Sequence, residues 1–163
     1  MTPEPMPEIT TVGHGTLVLD VLIGNLRRAG VERLVDVRST PYSRWHPQFN
    51  RKSLEAASEA AGIAYEWEPA LGGRPEDPTL RTPDGDPDYE RMAQHPPFLE
   101  AIERLLAAAE GTRTAIMCSE GAPERCHRTL LVAPALLARG ASIRHLLKDG
   151  SLIKDAPRAM RLL

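Results

Sequence analysis

At 163 residues, with 42% apolar and 26% charged side chains, the chain has the makeup of one globular domain with a real core. A net charge of -2 excludes a global basic field for holding nucleic acid, though not a local basic patch. Two cysteines exclude a disulfide scaffold, no apolar run approaches membrane-spanning length, and residues 1–8 lack the basic start and apolar run of a secretory signal, so a cytoplasmic protein with reduced thiols is expected.

Residues 1–8 read as a flexible, proline-rich lead-in. Residues 9–12 are short and β-branched and stop at Gly13-His14-Gly15, which predicts a strand ending in a glycine-flanked turn resembling a phosphate-binding one. Thr16 is the expected N-cap of an amphipathic helix whose apolar face is Val18, Leu19, Leu22, Ile23 and Leu26, closed by Gly30. Residues 34–38 form a second strand, with an apolar start suited to a buried parallel sheet. Thr-Pro and His-Pro make 39–49 a loop, in which Trp45 is expected to pack into the core. An alanine-rich helix over 53–61 ends at Gly62, and 63–67 is a third strand.

Leu71-Gly72-Gly73 turns the chain into a proline- and aspartate-rich excursion, 74–88, of the length typical of lids and disordered flaps. A short helical turn over 88–94 precedes a clear helix that begins at Pro97, carries Phe98, Ile102, Leu105 and Leu106 on one face and ends before Gly111. Residues 112–118 are the fourth strand. The helix over 124–139 holds Pro134, which predicts a kink. Residues 142–147 are the fifth strand, and 151–163 read as a tail. The alternation predicts a single α/β domain over 9–150, a mostly parallel five-stranded sheet with helices on both faces in a Rossmann-like three-layer arrangement.

In such a sheet ligands bind beyond the carboxyl ends of the strands. Those ends carry His14, Asp36 with Arg38, Cys118 with Glu120, and His145 on strand five. Cys118, at a strand end facing a helix start, is either a nucleophile or a small core residue. As a nucleophile it would be supported by Glu120 as acid or base and by the charge of Arg125 or Arg128. Asp36 and Arg38 share one face of strand two and either hold a ligand's polar atoms or form a structural ion pair. Cys126 and His127 are adjacent helical residues, about 100° apart, so only one of them is expected to aim at the site.

These motifs resemble the domain of unknown function 488 family of small prokaryotic proteins. The resemblance rests on Thr11-Val12-Gly13-His14-Gly15-Thr16 and on Asp36-Val37-Arg38 with Pro41, Ser43, Arg44, Pro47 and Phe49. Leu71-Gly72-Gly73 and the set Cys118, Glu120, Pro123, Cys126, His127 and Arg128 complete it. It implies an α/β fold and no settled activity. A looser likeness to rhodaneses and cysteine phosphatases is opposed by Glu120 and Glu124, two acids inside what would be an anion cradle.

The first expectation is therefore an enzyme, a transferase or hydrolase, acting on an anionic small molecule or nucleotide. Cys118, Glu120 and Asp36 would be its catalytic set. His14, Arg38, Arg44, Cys126, His127 and Arg128 would bind the anion, together with the amides at the start of the Cys126 helix. The second is a nucleic-acid-binding module using Arg44, Trp45 and His46, with Arg51 and Lys52 behind them. The third is a metal site on His14, Cys118, Cys126 and His127. No cofactor is named by the sequence.

Overall fold

The computed structural model describes residues 7–123 and 126–155. Five parallel strands and one antiparallel strand form a single sheet in the order β3-β2-β4-β1-β5-β6. They are β1 (Glu8–Gly13), β2 (Arg33–Asp36), β3 (Ala64–Trp67), β4 (Thr114–Cys118), β5 (Ser142–Leu146) and β6 (Leu152–Lys154). The α/β class and the parallel sheet agree with the sequence, but the strand count is six. The extra strand lies in what reads as tail: β6 returns antiparallel to β5, pairing Leu146 with Leu152. Its three residues are all exposed, so no apolar alternation marks it.

Helices cover both faces, and strand alternation divides the core between them. On one face α1 (Leu19–Arg28) and α2 (Arg51–Ala60) bury Leu22, Leu26 and Leu54 against Val12, Leu34, Ala115 and Met117. On the other, α4 (Pro96–Ala109) and α5 (Ala133–Leu137) bury Phe98, Ile102 and Leu136 against Ile9, Val35, Ile116 and Ile143. A short α3 (Tyr89–Met92) precedes α4. Cys118 belongs to this second face, two residues on from Ile116.

β1 and β4 are hydrogen-bonded neighbours. The chain leaving β1 enters α1 on one face, and the chain leaving β4 reaches α5 on the other. Their carboxyl ends are thus the topological switch point, where a crevice opens in this class of sheet.

Several local expectations need correction. The N-cap of α1 is Val18, not Thr16, and no side chain caps it. Trp45 is 75% exposed rather than core. The helix holding Pro134 is not simply kinked: Arg128–Val132 is a π-helical turn running into α5. Pro134 has no N–H for the carbonyl of Leu130, and the preceding turn widens, Ala133 N–H donating to the carbonyl of Arg128.

The excursion over 74–88 is tied to itself. Asp77 caps the turn Pro78–Leu80, and the Arg81 guanidinium donates to the carbonyls of Pro75 and Gly85. Leu80 packs on the α4 side of the core. Among the described residues no helix is long and apolar enough to cross a membrane.

Candidate active site at the carboxyl end of the sheet

The carboxyl ends of β1, β2 and β4 open into a cleft of about 760 Å³. His14, Arg38, Cys118, Glu120, Cys126 and His127 all line it, with Arg74 and Tyr89 on the side of the excursion. Six of the sequence-derived candidates therefore share one hollow.

Backbone pairing of β1 with β4 continues past the strands into its floor. His14 N–H donates to the carbonyl of Cys118 and Gly15 N–H to that of Ser119, both at 3.0 Å. These amides are consumed by pairing, so the Gly13-His14-Gly15 turn does not offer them to a phosphate. The glycine at 13 has another cause. A Cβ there would overlap the carbonyl of Glu120 and come within 2.8 Å of Arg128 Nη1. Gly73 is similar, since a Cβ would meet the His127 ring at 2.6 Å.

Arg128 is fully buried and does not itself line the cleft, but lies beneath Cys118 and Glu120, which do. Its Nη1 donates to Cys118 Sγ at 2.6 Å and to the Glu120 carbonyl at 2.6 Å, while Nε donates to Thr11 Oγ1 at 3.3 Å. A guanidinium against a sulfur favours the thiolate over the thiol.

Cys126 brings its sulfur into contact with that of Cys118. The structure joins the two as a disulfide, with Cα atoms 7.4 Å apart, longer than such a bridge usually spans, and the thiol chemistry of the site is that of the reduced pair. The two sulfurs have different company. Cys126 Sγ lies 3.6 Å from His127 Nδ1 and accepts from the backbone N–H of Arg128 at 3.5 Å. His127 Nε2–H donates to the Val37 carbonyl, and burial lowers the ring's pKa against the opposing pull of the Val37 and Leu71 carbonyls. Both Cys126 and His127 reach the cleft, against the expectation that only one would.

Asp36 is fully buried and does not line the cleft. It accepts from Arg38 Nε at 2.9 Å and Nη2 at 2.7 Å, and from the Tyr65 hydroxyl at 2.5 Å. Arg38 Nη2 also donates to the Phe49 carbonyl. The pair thus has the structural role the sequence left open, with Arg38 turned as part of the cleft wall. Tyr65, which reads as a packing residue, holds Asp36; burial first, then that hydrogen bond, raises its pKa.

His14 stacks on Phe49 with ring centroids 4.3 Å apart, and its Nδ1–H donates to the Gly15 carbonyl. Burial pushes its pKa down to about 4, so at neutral pH it is an uncharged ring with Nε2 free of a proton. It is suited to accept a proton or hydrogen bond rather than to attract an anion by charge.

Glu120 turns its carboxylate onto its own loop, accepting from Ala122 N–H at 3.0 Å, and gives its carbonyl to Arg128. Arg44 is not among the lining residues. Its guanidinium sits over the Trp45 ring, 5.0 Å from the centroid, on a loop whose neighbours Tyr42 and His46 do line the cleft. Glu124 and Arg125 lie outside the described residues. At the helix start Cys126 N–H is used by the Pro123 carbonyl and Arg128 N–H by the Cys126 sulfur. The expected amide cradle is therefore not free at those two positions. Among the described residues no three His, Cys, Asp or Glu side chains are arranged to hold a metal ion, so the set His14, Cys118, Cys126 and His127 does not assemble as a metal centre.

The family model of the domain of unknown function DUF488 matches residues 19–134. Comparison with curated proteins and with solved structures found no match.

Proposed function

The chain belongs to the DUF488 family, and from the site it carries we propose that it is an enzyme using Cys118 as a thiolate nucleophile on a small anionic substrate. The observation that carries this reading is the buried Arg128 guanidinium, 2.6 Å from the sulfur of Cys118, a residue that lines an open cleft. A thiolate attacks in its deprotonated form, and an adjacent fixed cation keeps it in that form near neutral pH. The other groups then have distinct tasks. Arg38, held by Asp36, and Arg74 supply positive charge to the wall for the anion. Uncharged His14, with Nε2 bare, and Glu120 at the rim are the proton acceptors within the cleft. Cys126 is a second thiol next to the first. The volume of about 760 Å³ accommodates a molecule of nucleotide size.

Transferase and hydrolase chemistry both proceed through attack by such a thiolate. The test is protection of Cys118 from iodoacetamide in the reduced protein. Inorganic phosphate, pyrophosphate and adenosine monophosphate are each titrated, with adenosine as the uncharged control. Saturable protection by at least one anion and none by adenosine is expected. Equal alkylation at every concentration of all three anions would refute an anion site over this cysteine.

A second reading has one specific observation in its favour: Trp45, 75% exposed and overlaid by Arg44, is a platform on which a base can stack. Binding of single-stranded oligonucleotides there would quench Trp fluorescence and weaken steeply with salt. A flat salt response removes this reading.

A further inference from the structure

Behind the cysteines runs a line of buried polar groups that the proposed chemistry does not use. Thr11 on β1 and His145 on β5 are paired residues of neighbouring strands, and both point to the face that carries Cys118. Thr11 is fully buried and His145 is buried. His145 Nε2 lies 3.1 Å from Asp155 Oδ1, and Nδ1 lies 2.5 Å from Thr11 Oγ1. Arg128 Nε lies 3.3 Å from the same Thr11 oxygen.

The hydrogen bonds of this line are continuous from the carboxylate to the guanidinium. A guanidinium Nε–H can only donate, so Thr11 Oγ1 accepts it. The Thr11 oxygen keeps a second lone pair and its own proton, either of which can serve the bond to His145 Nδ1. At the other end Nε2–H donates to the Asp155 carboxylate. The line runs from the residue after β6, through two strands, to the group that contacts the Cys118 sulfur.

We infer that Asp155, His145 and Thr11 form a positioning chain that fixes the plane of the Arg128 guanidinium against Cys118. Nη1 is thereby held on the sulfur and on the Glu120 carbonyl at once. Without the chain the same cation would stay near the sulfur but lose its fixed fork. This gives β6 a function: it closes the sheet edge and delivers the anchoring carboxylate at its end. The inference rests on the reading of Cys118 as a thiolate, which the test below examines separately.

Other charged and titratable groups adjoin Cys118 from each side. They are the groups that share its cleft: His14 at the end of β1, Arg38 just beyond β2, His46, Arg74 and Tyr89 from the facing loops, Glu120, and Cys126 with His127 ahead of the π turn. Glu124 and Arg125 of the same loop lie outside the described residues. Thr11→Val changes none of them, so its effect on the thiol reports the guanidinium.

The test is a pH titration of thiolate ultraviolet absorbance in full-length Cys126→Ser protein, where Cys118 is the remaining thiol. Thr11→Val, Thr11→Ser and Asp155→Ala are added to that parent. Thr11→Val is expected to move the midpoint up by about one pH unit, a tenfold loss of thiolate fraction at a pH below the midpoint. Thr11→Ser, which keeps the hydroxyl, restores the parent value to within about a third of a unit. Asp155→Ala moves it in the same direction as Thr11→Val and less far. A folded Thr11→Val with the parent midpoint overturns the inference. If Thr11→Val does not fold, an unchanged midpoint in Asp155→Ala overturns it. A parent that itself titrates at the ~8.5 of an ordinary thiol instead overturns the thiolate reading.

Discussion

The two ends of the sheet make opposite use of their hollows. At the amino ends of the strands a groove of about 1050 Å³, lined by Pro7, Glu8, Ala29, Glu32, Gly111 and Arg144, is larger than the cleft of about 760 Å³ at the carboxyl ends. Its charges are surface ones: Arg144 and Glu8 pair at 3.0 Å, each about half exposed. The carboxyl end instead buries Asp36, Arg38, Arg128, Thr11, His14 and His145. Burying charge costs free energy unless every group is partnered, and exposed pairs contribute little. The size of a hollow therefore does not locate the site here. The polar groups withdrawn from water and held in fixed geometry do.

Breaking that contrast at a glycine should have the largest effect. Gly13→Ala drives a methyl into the Glu120 carbonyl that Arg128 bonds, whereas Gly111, at the amino-end groove, has nothing within 4 Å of an added Cβ. Urea unfolding should show Gly13→Ala destabilised by about 3 kcal/mol or more, and Gly111→Ala changed by less than about 1 kcal/mol. Equal losses at the two glycines would erase the distinction.

Acid should act on the carboxyl end next. His14 titrates at about 4 in the fold and at 6.5 in the open chain, so the unfolded state binds more protons between those values. Stability from this group is complete above about pH 6.5 and falls with pH down to about 4, by up to roughly 3 kcal/mol. Its replacement by Gln should flatten that stretch of the stability profile. An unchanged profile would mean that the ring is not held uncharged.

Arg128→Lys keeps the charge and loses the fork that serves Cys118, Glu120 and Thr11. A loss of about 2 kcal/mol in denaturant unfolding is expected. The amino-end counterpart, Arg144→Ala, removes one exposed pair with Glu8 and should cost less than about 1 kcal/mol.

What the sequence discloses follows the same division. Periodicity reports apolar burial, so β1 to β5 and the helices read directly from runs such as Ala115-Ile116-Met117 and Leu22 with Leu26. The strand-end rule brought His14, Arg38, Cys118 and Glu120 to one cleft because it needs only the strand boundaries, while Asp36 and His145, named by the same rule, are buried and do not line it. β6 escaped because three exposed residues at a sheet edge carry no pattern. The split between Asp36 as ligand contact and as ion pair needed the Tyr65 hydroxyl, which arrives from β3. The contact of Thr11 with His145 and Arg128 joins residues more than a hundred positions apart, and no local spacing encodes it. Trp45 went astray for the opposite reason, since aromatic character predicts burial on average and the loop over 40–46 spends it on the surface.

We propose that the carboxyl end of the sheet holds the reduced Cys118 as a thiolate beside Arg128. This is tested most directly by titrating thiolate absorbance in the reduced protein and assigning each thiol by comparison with Cys118→Ser and Cys126→Ser. The signal lost in Cys118→Ser is expected to have a midpoint at least one unit below the ~8.5 of a free thiol. A Cys118 that ionises at or above that value would contradict it.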